Sequence, residues 1–148
     1  MVGLMVCLFW ARKTLLGVDF GTSYPLVLLS ALLLAMAGTI AVRRRKLLTF
    51  GVLAGLPELS EARYPGKLLT VGPYAQIRHP RYVEILLATV SYALFANYLG
   101  PYILAAAAVP VIFFIVLLEE KELRERFGEE YEQYCENVPR FFPKLTKR

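Results

Sequence analysis

Two clusters of polar residues bracket one long apolar stretch of the chain. The first, residues 72–82, reads Gly-Pro-Tyr-Ala-Gln-Ile-Arg-His-Pro-Arg-Tyr, and the second begins at Glu119-Glu120. Between them, residues 83–118 are predominantly apolar. If this stretch folds as a hairpin in a membrane, both clusters return to the same membrane face. Imidazole, phenol, guanidinium and carboxylate groups would then meet around one ligand.

The first cluster contains His79, the only imidazole in the chain. Pro80 follows it, and proline is well suited to the first turn of a helix. A helix N-terminus presents backbone N–H groups and the positive end of the helix dipole, so it can bind a carboxylate. The same pattern is also compatible with a purely structural role, in which these residues only begin a helix.

The carboxylates and tyrosines have similar alternatives. Glu119-Glu120 could hold a cationic or amine-bearing ligand, or simply mark the end of a membrane segment. Tyr74 and Tyr82 could stack on a flat ring, or belong to the aromatic belt of the membrane interface. Together these residues predict a site for a zwitterion that carries an aromatic base. Glu84 would be costly in lipid, so we expect it to face this site or a neighbouring helix.

Composition indicates a membrane protein. The chain has 148 residues, of which 57% are hydrophobic, above the range of about 45–50% that is usual for soluble domains. Its basic residues border membrane segments, which favours contact with anionic lipid headgroups over nucleic-acid binding. We expect no pairing between Cys7 and Cys135. A single histidine and the absence of a Cys-x-x-Cys motif argue against a zinc or haem site.

The expected fold is all-α, a membrane bundle with three or four membrane helices that forms one domain over residues 1–148. The domain divides into four segments, which are N-terminal membrane helices (1–46), a cytoplasmic loop (47–81), a transmembrane hairpin (82–118), and a cytoplasmic amphipathic helix with its tail (119–148).

The N-terminal segment and the hairpin have further expected features. Within 1–46, residues 24–42 form a clear uncharged span, whereas residues 1–18 predict a short or interfacial helix. Within the hairpin, we expect arms over 83–98 and 101–118, with Pro110 kinking the second arm.

Charge predicts the orientation. Residues 43–81 carry eight Lys/Arg against two Glu, and the turn at 97–101 carries no charge. Because basic residues collect on the cytoplasmic side of membrane proteins, we place 43–81 and 119–148 inside and the turn outside.

An ordered set of motifs accompanies the hairpin. It consists of Gly72-Pro73-Tyr74, Arg78-His79-Pro80-x-Tyr82, Glu119-Glu120-x-x-Leu123, Phe127-Gly128-x-x-Tyr131-x-x-Tyr134 and Val138-Pro139. The set covers about residues 66–143 and resembles the isoprenylcysteine carboxyl methyltransferase family, part of whose pattern is shared by the related phospholipid methyltransferases.

This resemblance implies an integral membrane enzyme that uses S-adenosylmethionine on a lipophilic or lipidated substrate drawn from the bilayer. It implies no nucleic-acid partner, and we predict no protein partner. Carried over by position, the cofactor would be surrounded by Lys67, Leu68, Leu69, Tyr74, His79, Pro80, Arg81, Tyr82 and Glu119, with Glu120 beside it.

Two departures from the family pattern concern the substrate. Ile115 stands where many relatives carry an arginine that is implied to hold a substrate carboxylate, and Glu84 stands where a small residue is usual. The nearest cations, Arg78 and Arg81, precede the hairpin. We therefore expect Arg78 and Glu84 to face the substrate and favour a neutral or amine-bearing acceptor over a prenylcysteine carboxylate. No residue is a convincing general base, so we predict no catalytic residue.

Two other functions remain open at this point. Membrane reductases of the sterol and steroid type look similar in their C-terminal half but bind a nicotinamide cofactor. A non-catalytic protein could also retain this fold as a lipid-binding or assembly module.

Overall fold

The computed structural model describes residues 17–47 and 68–144. In these two ranges the fold is all-α, as expected, and two of its helices are long and apolar enough to cross a membrane. The helices are α1 (Tyr24–Arg45), α2 (Pro80–Ala96), α3 (Leu99–Phe127) and α4 (Glu129–Asn137), and a short 3₁₀ turn covers Gly72–Ala75. The helix expected at 1–18 and most of the loop expected at 47–81 lie outside the described residues, so the total of three or four membrane helices stays a prediction.

Helix α1 packs along α2. Pro25 lies in the first turn of α1, and the helix ends in three arginines. Midway along the pair, the Ser91 hydroxyl donates a 2.8 Å hydrogen bond to the Ser30 carbonyl. Near its end, Arg44 Nε lies 3.2 Å from Glu84 Oε2. Glu84 therefore faces a neighbouring helix, one of the two environments that its cost in lipid predicted.

The predicted hairpin is formed by α2 and α3, and its turn is at Asn97. This residue has a positive φ of 53°, a conformation that asparagine adopts more readily than most residues. Its side-chain nitrogen donates to the Gly21 carbonyl at 2.6 Å, and its side-chain oxygen accepts from the Tyr102 hydroxyl at 2.8 Å. These bonds fix the turn against the segment that leads into α1.

Helix α3 does not end where the polarity of the sequence changes. It passes through Pro110 and Glu119 and continues to Phe127, so the charged segment expected to start a separate helix at Glu119 is the last part of α3. The break comes at Gly128, which has φ 53° and ψ −125°, a conformation that glycine tolerates because it has no Cβ. A change in polarity does not stop a helix, whereas this backbone conformation does.

The C-terminal part folds back onto the start of α2. Tyr131, Tyr134 and Val138 form a small buried cluster. Beyond it, Arg78 N donates to the Pro139 carbonyl at 2.8 Å and His79 N donates to the Arg140 carbonyl at 3.1 Å. This short backbone pairing, which we call the tail clamp (residues 138–140 on 78–79), brings the two polar clusters together.

A phenol reinforces the tail clamp. The Tyr134 hydroxyl donates a 2.6 Å hydrogen bond to the Tyr74 carbonyl. Burial raises the pKa of Tyr134 to about 12, although nearby Arg78 lowers it. The phenol therefore keeps its proton at neutral pH and remains a donor to the 3₁₀ turn.

Candidate functional site

Glu120 lies at the centre of the polar cluster. Its side chain has no exposed surface, and its two oxygens accept two hydrogen bonds from one guanidinium, Arg140 Nε to Oε1 at 2.9 Å and Arg140 Nη2 to Oε2 at 2.7 Å. Paired bonds of this kind between arginine and a carboxylate are among the stronger hydrogen bonds in proteins. The hydrogen bond to Glu120 raises the pKa of Arg140.

Three other side chains surround the same carboxylate. His79 Nε2 lies 3.1 Å from Glu120 Oε1, Arg78 Nη1 lies 3.4 Å from Oε1, and Arg124 Nη2 lies 3.7 Å from Oε2. A buried carboxylate is stable only when it is paired and hydrogen-bonded. The geometry accordingly makes Glu120 the anchor that ties the tail clamp to α3 and to the start of α2.

Glu119 occupies a different environment on the other side of the imidazole. Its Oε2 lies 3.5 Å from His79 Nδ1, and 43% of its side chain is exposed. The Tyr82 side chain hydrogen-bonds to it, and the Tyr82 ring lies 5.9 Å from the His79 ring, centroid to centroid. Of the two adjacent carboxylates, Glu120 is enclosed by protein groups, whereas Glu119 can reach a ligand.

The buried imidazole of His79 links the two carboxylates. The ring is 4% exposed, with Nε2 toward Glu120 and Nδ1 toward Glu119. A protonated imidazole can donate from both nitrogens, and a neutral one from only one. His79 therefore lies between the two carboxylates, hydrogen-bonded to Glu120 through Nε2 and at ion-pair distance from Glu119 through Nδ1.

Several predicted ligand-binding residues lie around this centre. Arg81 is exposed in the first turn of α2, close enough to Tyr74 and Glu119 to affect both electrostatically. Tyr74 is half-buried, and burial is the main cause of its raised pKa. Pro80 is fully buried at the start of α2. The helix contributes less to anion binding than expected, because Pro80 has no N–H and the Tyr82 N–H bonds to the His79 carbonyl.

The remaining predicted residues have other neighbours. Leu68 packs against the buried tyrosine cluster, Leu69 is half-buried, and Lys67 lies outside the described residues. Arg78 contacts Glu120 and the Cys135 thiol, and Glu84 pairs with Arg44. Cofactor binding by the first three, and substrate contact by Arg78 and Glu84, stay predictions.

Two arginines of this region, Arg140 and Arg44, are not apparent from the sequence pattern. The only indication of a role for Arg140 in the sequence is that it directly follows the Val138-Pro139 motif. The spacing between Arg140 and Glu120 does not indicate a contact. Arg44 was assigned only to the basic end of a membrane segment. Its ion pair with Glu84 depends on how α1 and α2 pack.

Three curated relatives are similar to part of the chain. Methanethiol S-methyltransferase from Pseudomonas deceptionensis is 34% identical over 99 residues, which are 66% of this chain and 37% of the relative. Methanethiol S-methyltransferase from Crocosphaera subtropica is 35% identical over 91 residues, 57% of this chain and 32% of the relative. The nickel-cobalt-cadmium resistance protein NccN from Alcaligenes xylosoxydans xylosoxydans is 30% identical over 80 residues, 54% of this chain and 38% of the relative.

The matched region is thus about a third of the length of these curated relatives. No solved structure matches the chain. The phospholipid methyltransferase family model matches residues 26–130, a region that contains most of α1, the hairpin, His79 and both glutamates. The chain therefore belongs to the phospholipid methyltransferase family, a membrane family that uses S-adenosylmethionine, and this confirms the family and the cofactor that the motif resemblance implied.

Proposed function

We propose that this chain transfers a methyl group from S-adenosylmethionine to a neutral lipophilic acceptor at the cytoplasmic face of a membrane. The observation that carries the proposal is the half-exposed Glu119, which is hydrogen-bonded by the Tyr82 side chain and lies near Arg81 and the buried His79. In a member of this family, that group matches the chemistry of the cofactor. The amine and ribose hydroxyls need acceptors, the carboxylate needs a cation, and the adenine needs a flat partner.

Each residue has a distinct proposed role. Glu119 accepts hydrogen bonds from the amine or ribose hydroxyls, and the Arg81 side chain with the start of α2 faces the carboxylate. Tyr74 and Tyr82 flank the adenine. Glu120 binds no ligand in this scheme, because four protein side chains already occupy it. Its role is to hold His79 and the tail clamp.

The bound cofactor supplies an electrophilic methyl group on a sulfonium. A thiol, amine or hydroxyl acceptor would take up this methyl group, with S-adenosylhomocysteine as the leaving group and the acceptor proton released to water. The protein contributes mainly by holding the two reactants together, which can supply a large part of a rate enhancement. The scheme needs no covalent intermediate on the chain.

The acceptor is proposed to be uncharged. Position 115 on α3 is an isoleucine and supplies no cation to an acceptor. Two basic groups near the hairpin are already paired, Arg78 with Glu120 and Arg44 with Glu84. An acceptor carboxylate left unpaired away from water would be costly. Two relatives are named as methyltransferases of methanethiol, a small neutral thiol, and we carry that acceptor class over to this chain.

A methyl-transfer assay in detergent or lipid tests the acceptor. We expect a neutral thiol to be methylated at least severalfold faster than a prenylcysteine acid of matched hydrophobicity, with phenol and amine acceptors as further arms. Faster turnover of the acid would contradict the proposal. Titration with NADPH is the control for the reductase alternative, and binding of NADPH without S-adenosylmethionine would favour that alternative.

The membrane orientation has a separate test. A single cysteine introduced at Gly100, at the start of α3 beside the hairpin turn, should react with an impermeant maleimide in intact cells. One introduced at Thr146 should react only after the cells are opened, because basic residues favour the cytoplasmic side. Cys7 and Cys135 are first replaced by alanine. Labelling of Thr146→Cys, but not of Gly100→Cys, from outside would reverse the proposed orientation.

A further inference from the structure

A concave region whose lining includes neither Glu119 nor Tyr82 lies beside the start of α2. It is a cavity of about 660 Å³ between the end of α1, the start of α2, the 3₁₀ turn and residues 141–143. This volume is within the range of about 300–1,000 Å³ that is typical of ligand sites. Its apolar wall includes Met36 and Ile40 from α1 and Val83 and Leu87 from α2. None of these four side chains belongs to the site proposed above.

The cavity is amphipathic along its length. Arg43 and Lys46, where α1 leaves its apolar span, line the same cavity as the apolar wall. Within residues 17–47 and 68–144, no carboxylate pairs with either cation, whereas Arg44 between them is buried against Glu84. An apolar chamber with two available cations at the interfacial end of a helix matches an anionic amphiphile. It does not match a neutral thiol or a nucleoside.

We propose that this cavity binds an anionic phospholipid, with an acyl chain between α1 and α2 and the phosphate at Arg43 and Lys46. Basic pockets between membrane helices on the cytoplasmic side are a recurrent way to bind acidic lipid headgroups. Charge complementarity selects this occupant, because the cavity lining includes two cations and no acidic side chain among the described residues. The cavity lining includes neither Glu119 nor Tyr82, and it shares only Pro80 with the residues predicted to surround the cofactor.

The close packing at the floor of the cavity supports a defined shape. Gly72 and Leu47 both line it. A Cβ built on Gly72 would lie 2.5 Å from Leu47 Cδ1, and Gly72 has a φ of +63°. A larger residue at position 72 would therefore be strained and would displace the Leu47 side chain. The 3₁₀ turn thus packs tightly against the end of α1 where the two elements line the cavity.

Titration of the purified full chain in neutral detergent with a fluorescent-tailed phosphatidylglycerol tests the proposal. Unlabelled phosphatidylglycerol should compete, whereas phosphatidylcholine with the same chains should compete poorly. Each cation contributes roughly fivefold to the affinity, so the double variant Arg43→Gln/Lys46→Gln should bind about thirtyfold more weakly. Arg45→Gln is the matched control, because Arg45 belongs to the same basic run but does not line the cavity.

Leu87→Trp tests the part of the cavity that is proposed to hold the acyl chain. The larger side chain should fill this part and weaken lipid binding, although Arg43 and Lys46 are unchanged. Equal losses in Arg45→Gln and in the double variant would show only diffuse attraction to a basic surface and would overturn the proposal. Competition by inorganic phosphate as strong as by the lipid would assign the site to a free anion instead. Unchanged binding in Leu87→Trp would exclude an acyl chain between the helices.

Discussion

Replacing the buried Glu120 with glutamine should lower the free energy of unfolding by about 3–5 kcal/mol, the usual cost of removing one partner from a buried ion pair. The glutamine would leave Arg78 and Arg140 without a counter-charge and would place an amide N–H₂ against one of these guanidiniums. The tail clamp should loosen as a consequence. Chemical denaturation in mixed micelles, followed by circular dichroism, measures the change.

Glu122→Gln is the control for this experiment. Glu122 lies two residues further along α3, is exposed, and has no ion pair within the described part of the chain. Its replacement should alter the free energy of unfolding by less than about 0.5 kcal/mol, as is usual for surface substitutions. Similar stabilities of the two variants would show that the Glu120 cluster does not hold the fold.

A double-mutant cycle separates the contribution of Arg140. Glu120→Gln and Arg140→Gln should each destabilise the protein, and the double variant should be less destabilised than the sum of the two. Contacting residues in one ion-pair network typically show coupling energies of about 0.5–3 kcal/mol. Additive losses would mean that the 2.7 Å contact between Arg140 and Glu120 contributes nothing to stability.

Glu119→Gln should have the opposite profile, with weak effects on stability and a large effect on the cofactor. A hydrogen bond to a charged group contributes about 1.5–3 kcal/mol, so the affinity for S-adenosylhomocysteine should fall about ten- to a hundredfold. Isothermal titration calorimetry on the detergent-purified protein measures it. Tyr82→Ala should also weaken binding at least severalfold, because its side chain holds Glu119 and is proposed to flank the adenine.

Glu122→Gln is again the control. This variant should bind S-adenosylhomocysteine with the same affinity as the unchanged protein. Unchanged affinity in both Glu119→Gln and Tyr82→Ala would reject the proposed cofactor site. Loss of binding that follows loss of stability in every variant would instead mean that Glu119 only supports the fold. The denaturation data for the same variants distinguish these two outcomes.

Local sequence was sufficient to predict the main helices. The uncharged run that begins at Tyr24 and the turn residues around Asn97 predicted α1 and the hairpin, and both are present. Apolar length and turn chemistry act over short distances, so they can be identified without knowing the tertiary structure. The ordered motifs also predicted the family, which the match over residues 26–130 confirms.

Helix ends were less predictable. The change from apolar to charged residues at Glu119 suggested a new element, but α3 continues to Phe127 and ends at Gly128. Polarity reports the environment of a helix, whereas backbone conformation determines where the helix stops. In the sequence, Gly128 is part of a motif with Phe127 and Tyr131, and its positive φ is apparent only in the folded chain.

By itself, the sequence determined the residue types of the site and the membrane character of the chain. The residue pattern alone could not show which of Glu119 and Glu120 is enclosed by protein groups, because both lie at the same change from apolar to charged residues. The tertiary structure distinguishes the two glutamates. Residues 139–140 pair with residues 78–79, and this pairing places Arg140 against Glu120. The backbone contacts join residues about 60 positions apart, and Arg140 and Glu120 are 20 positions apart. Both sets of contacts depend on how the helices pack, which no local pattern encodes.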